Sequence, residues 1–283
     1  MNIDEVHQAP THLGPIEYRD LGQGPVLVFL HPILSDGRHW DRVISLVQDR
    51  FRCIVPTLPL GAHRLAADAN ADLSCDGLAR AVADVLAHLD IDDATLVGND
   101  TGGAIAQVVA VNHPERLKSV VLTNCDMFEV FPPRLFKYFR LLPYVPGSLQ
   151  VLARVFKVNR VRSLPIALGM LCNEVDGDLV ESWAQALLAS SDVRRDALEV
   201  IRGISPDVTE RAAEALGSTD LPFLVVWGAD DRLFKRSLAE RFCRQVPTAE
   251  LVMVKDSKTF VCWDQPESLA SHIASFVGSA APV

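Results

Sequence analysis

The hexapeptide Gly98-Asn99-Asp100-Thr101-Gly102-Gly103 sets one carboxylate among glycines, directly after the apolar run Thr95 to Gly98 and just before a helical stretch that begins at Ala104. A chain that passes from strand to helix in so few residues must reverse sharply, and small residues on both sides of the tip give it room. A carboxylate there lies at a helix N-terminus, whose dipole and free N–H groups favour the ionised form and can also hold an oxyanion. Aspartate is a good N-cap in its own right, but a cap needs no glycines on both sides. The spacing therefore predicts Asp100 as a nucleophile or proton-transfer group presented at a strand end.

The elements that must position it are legible as alternating runs. Val26 to Leu30, Arg52 to Val55, Thr95 to Gly98, Val120 to Thr123, Phe223 to Trp227 and Leu251 to Val254 are apolar at nearly every position, as in strands buried on both faces of a parallel sheet. Leu78 to Leu89 carries one apolar face of a helix, and Ala104 to Val111 continues from the Asp100 turn. The fold class is α/β, a mostly parallel sheet flanked by helices. From residue 128 to 215 the alternation stops and the chain turns helical, punctuated by Pro132, Pro133, Pro143, Pro146, Pro165 and Pro206. This predicts a core of residues 1–127 and 216–283 with a helical cap, 128–215, inserted into it. The first part of the cap is rich in aromatics, Phe128, Phe131, Phe136, Tyr138, Phe139 and Tyr144, some packing on the core and some lining the cavity beneath.

With 283 residues and 49% hydrophobic content, the chain can bury a sizeable core without staples. A net charge of -9 argues against nucleic acid or an anionic membrane as the main partner and leaves a small molecule as the expected ligand. Asp4 and Glu5 stand where a secretory signal would be basic, and no apolar run is long enough to span a bilayer, so the cytoplasm is the expected location. Six scattered cysteines lack ligand or disulfide spacing; no metal or cofactor is expected, and a monomer or homodimer is.

These residues together resemble the α/β-hydrolase superfamily, in the branch with an aspartate nucleophile that includes haloalkane dehalogenases and epoxide hydrolases. The resemblance runs through Phe29-Leu30-His31-Pro32, Pro56-Thr57-Leu58-Pro59-Leu60-Gly61, the Asp100 turn where many members carry Ser, Val226-Trp227-Gly228-Ala229-Asp230-Asp231 and Asp264-Gln265-Pro266-Glu267. It implies that Asp100 attacks carbon to form an alkyl-enzyme ester, that the backbone N–H groups of Ile33 and Thr101 form the oxyanion hole, and that water activated by a histidine–acid pair hydrolyses the ester. The acid of that pair falls on Asp231, or on Asp126 where a dehalogenase carries it after the sixth strand.

The histidine's place, seven residues before Pro266, is held by Thr259, which cannot act as a base near neutral pH. Such a loss typically costs ~10² to 10⁴ in rate. Of the eight histidines, His63 is the candidate replacement, because Leu60-Gly61-Ala62-His63 follows a strand end; a loop histidine bonded to backbone is the alternative. His31 resembles the oxyanion-loop histidine. Dehalogenases commonly grip halide with a Trp after the nucleophile, where this chain has Thr101. Epoxide hydrolases use two cap tyrosines, which Tyr138 and Tyr144 could supply. His31, Phe128, Tyr138, Tyr144, Thr259 and Phe260 are the expected pocket residues. The resulting expectation is a hydrolase of a small apolar haloalkane, epoxide or ester-like substrate with an atypical triad. A lyase, isomerase or cyclase using Asp100 as acid/base, or a non-catalytic binding protein, are the alternatives.

Overall fold

The computed structural model describes residues 5–164 and 167–279, so that Asp4 and Pro165, and the ends of the expected core, lie outside the described residues. Eight strands form one sheet: β1 (His7–Thr11), β2 (Gly14–Leu21), β3 (Val26–Leu30), β4 (Arg52–Pro56), β5 (Ala94–Asp100), β6 (Leu117–Cys125), β7 (Phe223–Gly228) and β8 (Ala249–Val254). Their order is β1-β2-β4-β3-β5-β6-β7-β8, with antiparallel pairing from β1 to β4 and parallel pairing from there on. All six apolar runs are strands. The β1–β2 hairpin was not anticipated: β2 buries Ile16 and Tyr18 on one face and Leu21 on the other, and its intervening Pro15, Glu17 and Arg19 make it read as a loop.

The helices are α1 (Asp41–Val47), α2 (Cys75–His88), α3 (Thr101–Asn112), α4 (Ser148–Phe156), α5 (Asn159–Arg162), α6 (Gly177–Ala189), α7 (Ser191–Gly203), α8 (Pro206–Leu216), α9 (Arg236–Gln245), α10 (Val261–Asp264) and α11 (Pro266–Ser279). Alternate residues of β3 face opposite layers. Val26, Val28 and Leu30 pack with α2, α3, α8 and α9, whereas Leu27 and Phe29 pack with α1, α10 and α11. A smaller cluster joins α4, α6 and α7 through Leu149, Ala153, Leu187 and Ala197. Together with a 3₁₀ segment, Arg134–Tyr144, these helices cover the carboxyl ends of the central strands, while α8 packs on α3 in the main layer. Among the described residues, no helix is long and apolar enough to cross a membrane.

Why α3 follows β5 without a linker is answered by its glycines. A Cβ on Gly102 would stand 2.2 Å from the Leu30 carbonyl oxygen, one on Gly103 2.3 Å from Cys125 Cβ, and one on Gly98 2.6 Å from the Gly102 carbonyl oxygen. The first is a backbone obstacle that no rotamer change relieves. Gly102→Ala is accordingly expected to lower unfolding stability by about 3 kcal/mol or to prevent folding, measured by urea denaturation, because it must push α3 away from the end of β3.

Candidate active site at the carboxyl edge of the sheet

Asp100 is the last residue of β5 and sits at φ 53 and ψ -125, a left-handed conformation costly for a residue with a side chain. Its carboxylate folds onto the start of α3: the Thr101 N–H donates to Oδ1 at 2.7 Å, and the Thr101 hydroxyl donates to the same oxygen at 3.0 Å. Asp100 is thus both the tip of the turn and the N-cap of α3. Burial raises its pKa above the ordinary carboxylate value, opposed by the two bonds from Thr101.

Asp100 and Thr101 open onto a cavity of about 320 Å³. Ile33 and Leu34 from the loop after β3, Phe136 and Phe139 from the 3₁₀ segment, and Trp183 and Leu187 from α6 give it mostly apolar walls. The Ile33 N–H has no hydrogen-bond partner among the described residues. Tyr138 and Phe260 also line the cavity.

The second carboxyl at the cavity is Asp126. Register pairs Asp100 with Cys125, so Asp126 follows directly beside the tip. Its Oδ1 is buried without a partner. Burial, and next the charge of Asp100, push its pKa well above the carboxylate range. Because Thr101 hydrogen-bonds the ionised form of Asp100 and Asp126 Oδ1 has no donor, Asp126 is the member of the pair whose neutral form is favoured.

Asp231 does not line the cavity. It accepts from Asn124 Nδ2 at 2.6 Å, Thr259 Oγ1 at 3.0 Å and the backbone N–H groups of Leu233 at 2.7 Å and Phe234 at 3.2 Å. Burial nevertheless raises its pKa to about 6, against the pull of these four bonds. Thr259 is fully buried and also lies behind the cavity wall; its hydroxyl supplies the hydrogen bond to Asp231 but brings no basic nitrogen.

Four expected site residues are placed elsewhere. His63 is only 2% exposed, its Nδ1 accepts from the Gly61 N–H at 3.2 Å, and its Nε2 lies 3.2 Å from Asp196 on α7. With both ring nitrogens engaged and no place on the cavity wall, it is corrected from a base to a tie between the β4 loop and α7. His31 is a loop clamp rather than a pocket residue: Nδ1 bonds the Pro32 carbonyl at 2.9 Å, Nε2 accepts from the Leu58 N–H at 3.0 Å, and burial lowers its pKa to about 4. Phe128 turns into the core, where its ring meets Phe242 and carries the Arg241 guanidinium at 3.9 Å. Tyr144 points away from the cavity and is 74% exposed.

Asn99 was not anticipated. Its Nδ2 faces the carbonyls of Thr123, Asn124 and Thr259 at 3.1, 3.1 and 2.9 Å, and its Oδ1 accepts from His39 Nε2 at 3.0 Å. The available signal was an amide at the end of an otherwise apolar strand, which must be hydrogen-bonded once buried. His39 itself is fully buried and held neutral, its pKa lowered to about 3 by burial. The apolar walls supplied by α4 and α6 gave no such signal, since Leu152 or Leu187 reads as ordinary helix packing. Among the described residues, no group of His, Cys, Asp and Glu could hold a metal ion.

The family model described as alpha/beta hydrolase fold matches residues 25–266. The chain belongs to that family. It is 26% identical over 270 residues to haloalkane dehalogenase 2 of Mycobacterium tuberculosis, across 94% of this chain and 92% of that protein. It is 29% identical over 286 residues to cis-3-alkyl-4-alkyloxetan-2-one decarboxylase of Xanthomonas campestris pv. campestris, across 93% and 92% of the two chains. The solved structure of epoxide hydrolase CorEH superposes with a TM-score of 0.80 at 16% identity, covering 98% of this chain and 99% of that one, a likeness of fold. The expected resemblance to dehalogenases and epoxide hydrolases agrees with these relatives.

Thr259 can be tested directly through Asp231. Its hydroxyl bond favours the ionised carboxylate, so Thr259→Val is expected to raise the Asp231 titration midpoint above about 6, followed by carboxyl ¹³C NMR against pH. A midpoint that stays in place would mean the hydroxyl contributes nothing to this carboxylate.

Proposed function

We propose that the chain is a hydrolase of small, mostly apolar electrophiles, with Asp100 as the nucleophile at a strand–helix elbow and, of the segment 128–215 expected as a cap, the part ahead of α8 covering its cavity, Phe128 and α8 belonging to the main layer. The observation that carries this reading is the Asp100 carboxylate, held at a strained tip by Thr101 and facing an apolar cavity. Thr101 N–H, with Ile33 N–H nearby on the cavity wall, supports the oxyanion-hole assignment.

The neutral carboxyl of Asp126 favours epoxide or ester-like substrates over haloalkanes. A departing halide takes no proton and needs a clamp, and Thr101 follows Asp100 where a halide-gripping Trp would stand. An opening epoxide leaves an alkoxide that must be protonated. Asp100 Oδ2 attacks the epoxide carbon, the carbon–oxygen bond breaks, and the Asp126 proton passes to the alkoxide. Asp126, now a carboxylate in an apolar setting, takes a proton from the water that attacks the ester carbonyl. As the tetrahedral intermediate collapses, the remaining proton of the added water passes to the departing ester oxygen, so that the diol leaves with Asp100 restored as carboxylate and Asp126 as acid. One residue thereby serves as acid and then base, the role Thr259 cannot fill.

A second reading is supported by Thr259 and by the relative named as a decarboxylase: a non-hydrolytic lyase in which Asp100 transfers a proton or opens a strained ring without ester hydrolysis.

Turnover of 1,2-epoxyhexane and 1-bromohexane, with intact-mass spectrometry of the protein, discriminates these. Asp100→Asn is expected to abolish epoxide turnover. Asp126→Asn should slow it by roughly 10² to 10⁴-fold while still accumulating an adduct with 1-bromohexane. The pH profile should be bell-shaped, with activity lost on the acid side as Asp100 protonates and on the alkaline side as Asp126 loses its proton. Both limbs should lie above the ordinary carboxylate range, since both pKa values are raised. Epoxide turnover undiminished in Asp100→Asn would sink the nucleophile assignment.

A further inference from the structure

The surface above the cavity differs in composition from the rest of the chain. Between Glu129 and Glu174 the sequence has no acidic residue, yet it carries seven Lys and Arg in a chain whose net charge is -9. Arg134, Lys137, Arg140, Arg154, Lys157 and Arg160 are exposed. Of these six only Lys157 has a carboxylate within 4.0 Å, Glu181, among the described residues.

The same segment holds the exposed apolar surface. Every exposed large hydrophobic among the described residues except Val6 and Leu46 lies between Leu135 and Leu164. Leu141, Tyr144, Val151 and Val158 are 62%, 74%, 59% and 50% exposed. Single exposed hydrophobics are ordinary on a protein surface, but their confinement to one segment is not. Apolar side chains interleaved with mostly unpaired cations, with tyrosines among them, suit the boundary of an anionic bilayer: cations meet lipid phosphates, and apolar residues enter the acyl edge.

The patch and the cavity also share walls. Tyr138, Val155 and Leu164 are exposed members of the patch and line the cavity above Asp100. A ligand dissolved in a lipid leaflet would reach the cavity across residues that already contact the leaflet.

We infer that residues 134–164 form a docking surface for an anionic lipid bilayer, through which an apolar ligand passes into the cavity. Docking in this way is peripheral. The chain-wide charge, which argued against such a partner, is an average that this segment reverses locally.

Vesicle co-sedimentation of the full chain tests the inference without reference to the chemistry at Asp100. The protein is expected to sediment with phosphatidylcholine vesicles containing phosphatidylglycerol at low salt, to be released at high salt, and to stay in solution with pure phosphatidylcholine. The triple variant Arg140→Ala, Arg154→Ala, Arg160→Ala should bind roughly 100-fold more weakly, at roughly fivefold per basic residue near an anionic surface. Its circular dichroism and its turnover of a water-soluble substrate should be unchanged, since none of the three lines the cavity. Leu141→Gln, which leaves the charge unchanged, should weaken binding as well, which a purely ionic contact would not show. Failure of the wild-type chain to sediment with anionic vesicles, or equal sedimentation with neutral ones, overturns the inference and leaves the proposed hydrolase reading untouched.

Discussion

The first turn of α3 lies against the carboxyl end of β3 because Gly102 has no side chain, and the layout of the site depends on that close approach. It brings the Thr101 amide to the rim just where the chain leaving β3 turns through Pro32 and Ile33, so that two segments far apart in sequence meet at one cavity. It also sets the conformation of Asp100: a strand that must become a helix in one residue forces that residue to a positive φ. The strain is local, and the surroundings over-determine it. Behind the tip, Asn99 ties β5 to β6 and to the Thr259 carbonyl, so the rim is fastened on both sides of the turn.

A missing cation shapes the electrostatics of this rim. A protonatable imidazole at position 259 would offer Asp231 a charge partner, whereas Thr259 offers a hydroxyl, which satisfies a lone pair without adding charge. Asp231 is therefore held by four neutral donors and has its pKa raised, and the other two carboxyls face a mostly apolar cavity. With no positive group among the described residues of the lining to stabilise two anions side by side, the neutral form is favoured where hydrogen bonding is poorest, at Asp126.

The alternation of strands and helices, the glycine turn and the family were all legible in the sequence. Each is set by a local rule: a doubly buried strand must be apolar throughout, and a tight turn must be free of side chains. What could not be read depends on direction in space. Phe128 and Tyr144 were grouped with Tyr138 by aromatic character, but one turns into the core, one out to solvent, and only Tyr138 into the cavity. His63 had the right address at a strand end. Its partner Asp196 lies 133 residues away on α7, and no spacing rule reveals that a ring nitrogen is already committed there.

For the proposed docking surface, net charge is a poor guide for a related reason. Electrostatic attraction to a surface is screened over roughly 8 to 10 Å at physiological salt, so a partner senses the charges on the face it approaches and little of those on the far side. A sum over the chain discards that geometry. The basic residues here are gathered in one acid-free segment, exposed, mostly unpaired and interleaved with apolar side chains, whereas the acidic excess lies elsewhere in the chain. Such segregation is costly in water, because like charges and exposed apolar surface are both unfavourable there, and it sits on the part of the fold least needed for the core. A surface that carries those costs, and that shares Tyr138, Val155 and Leu164 with the cavity wall, suits an environment in which both costs are reversed.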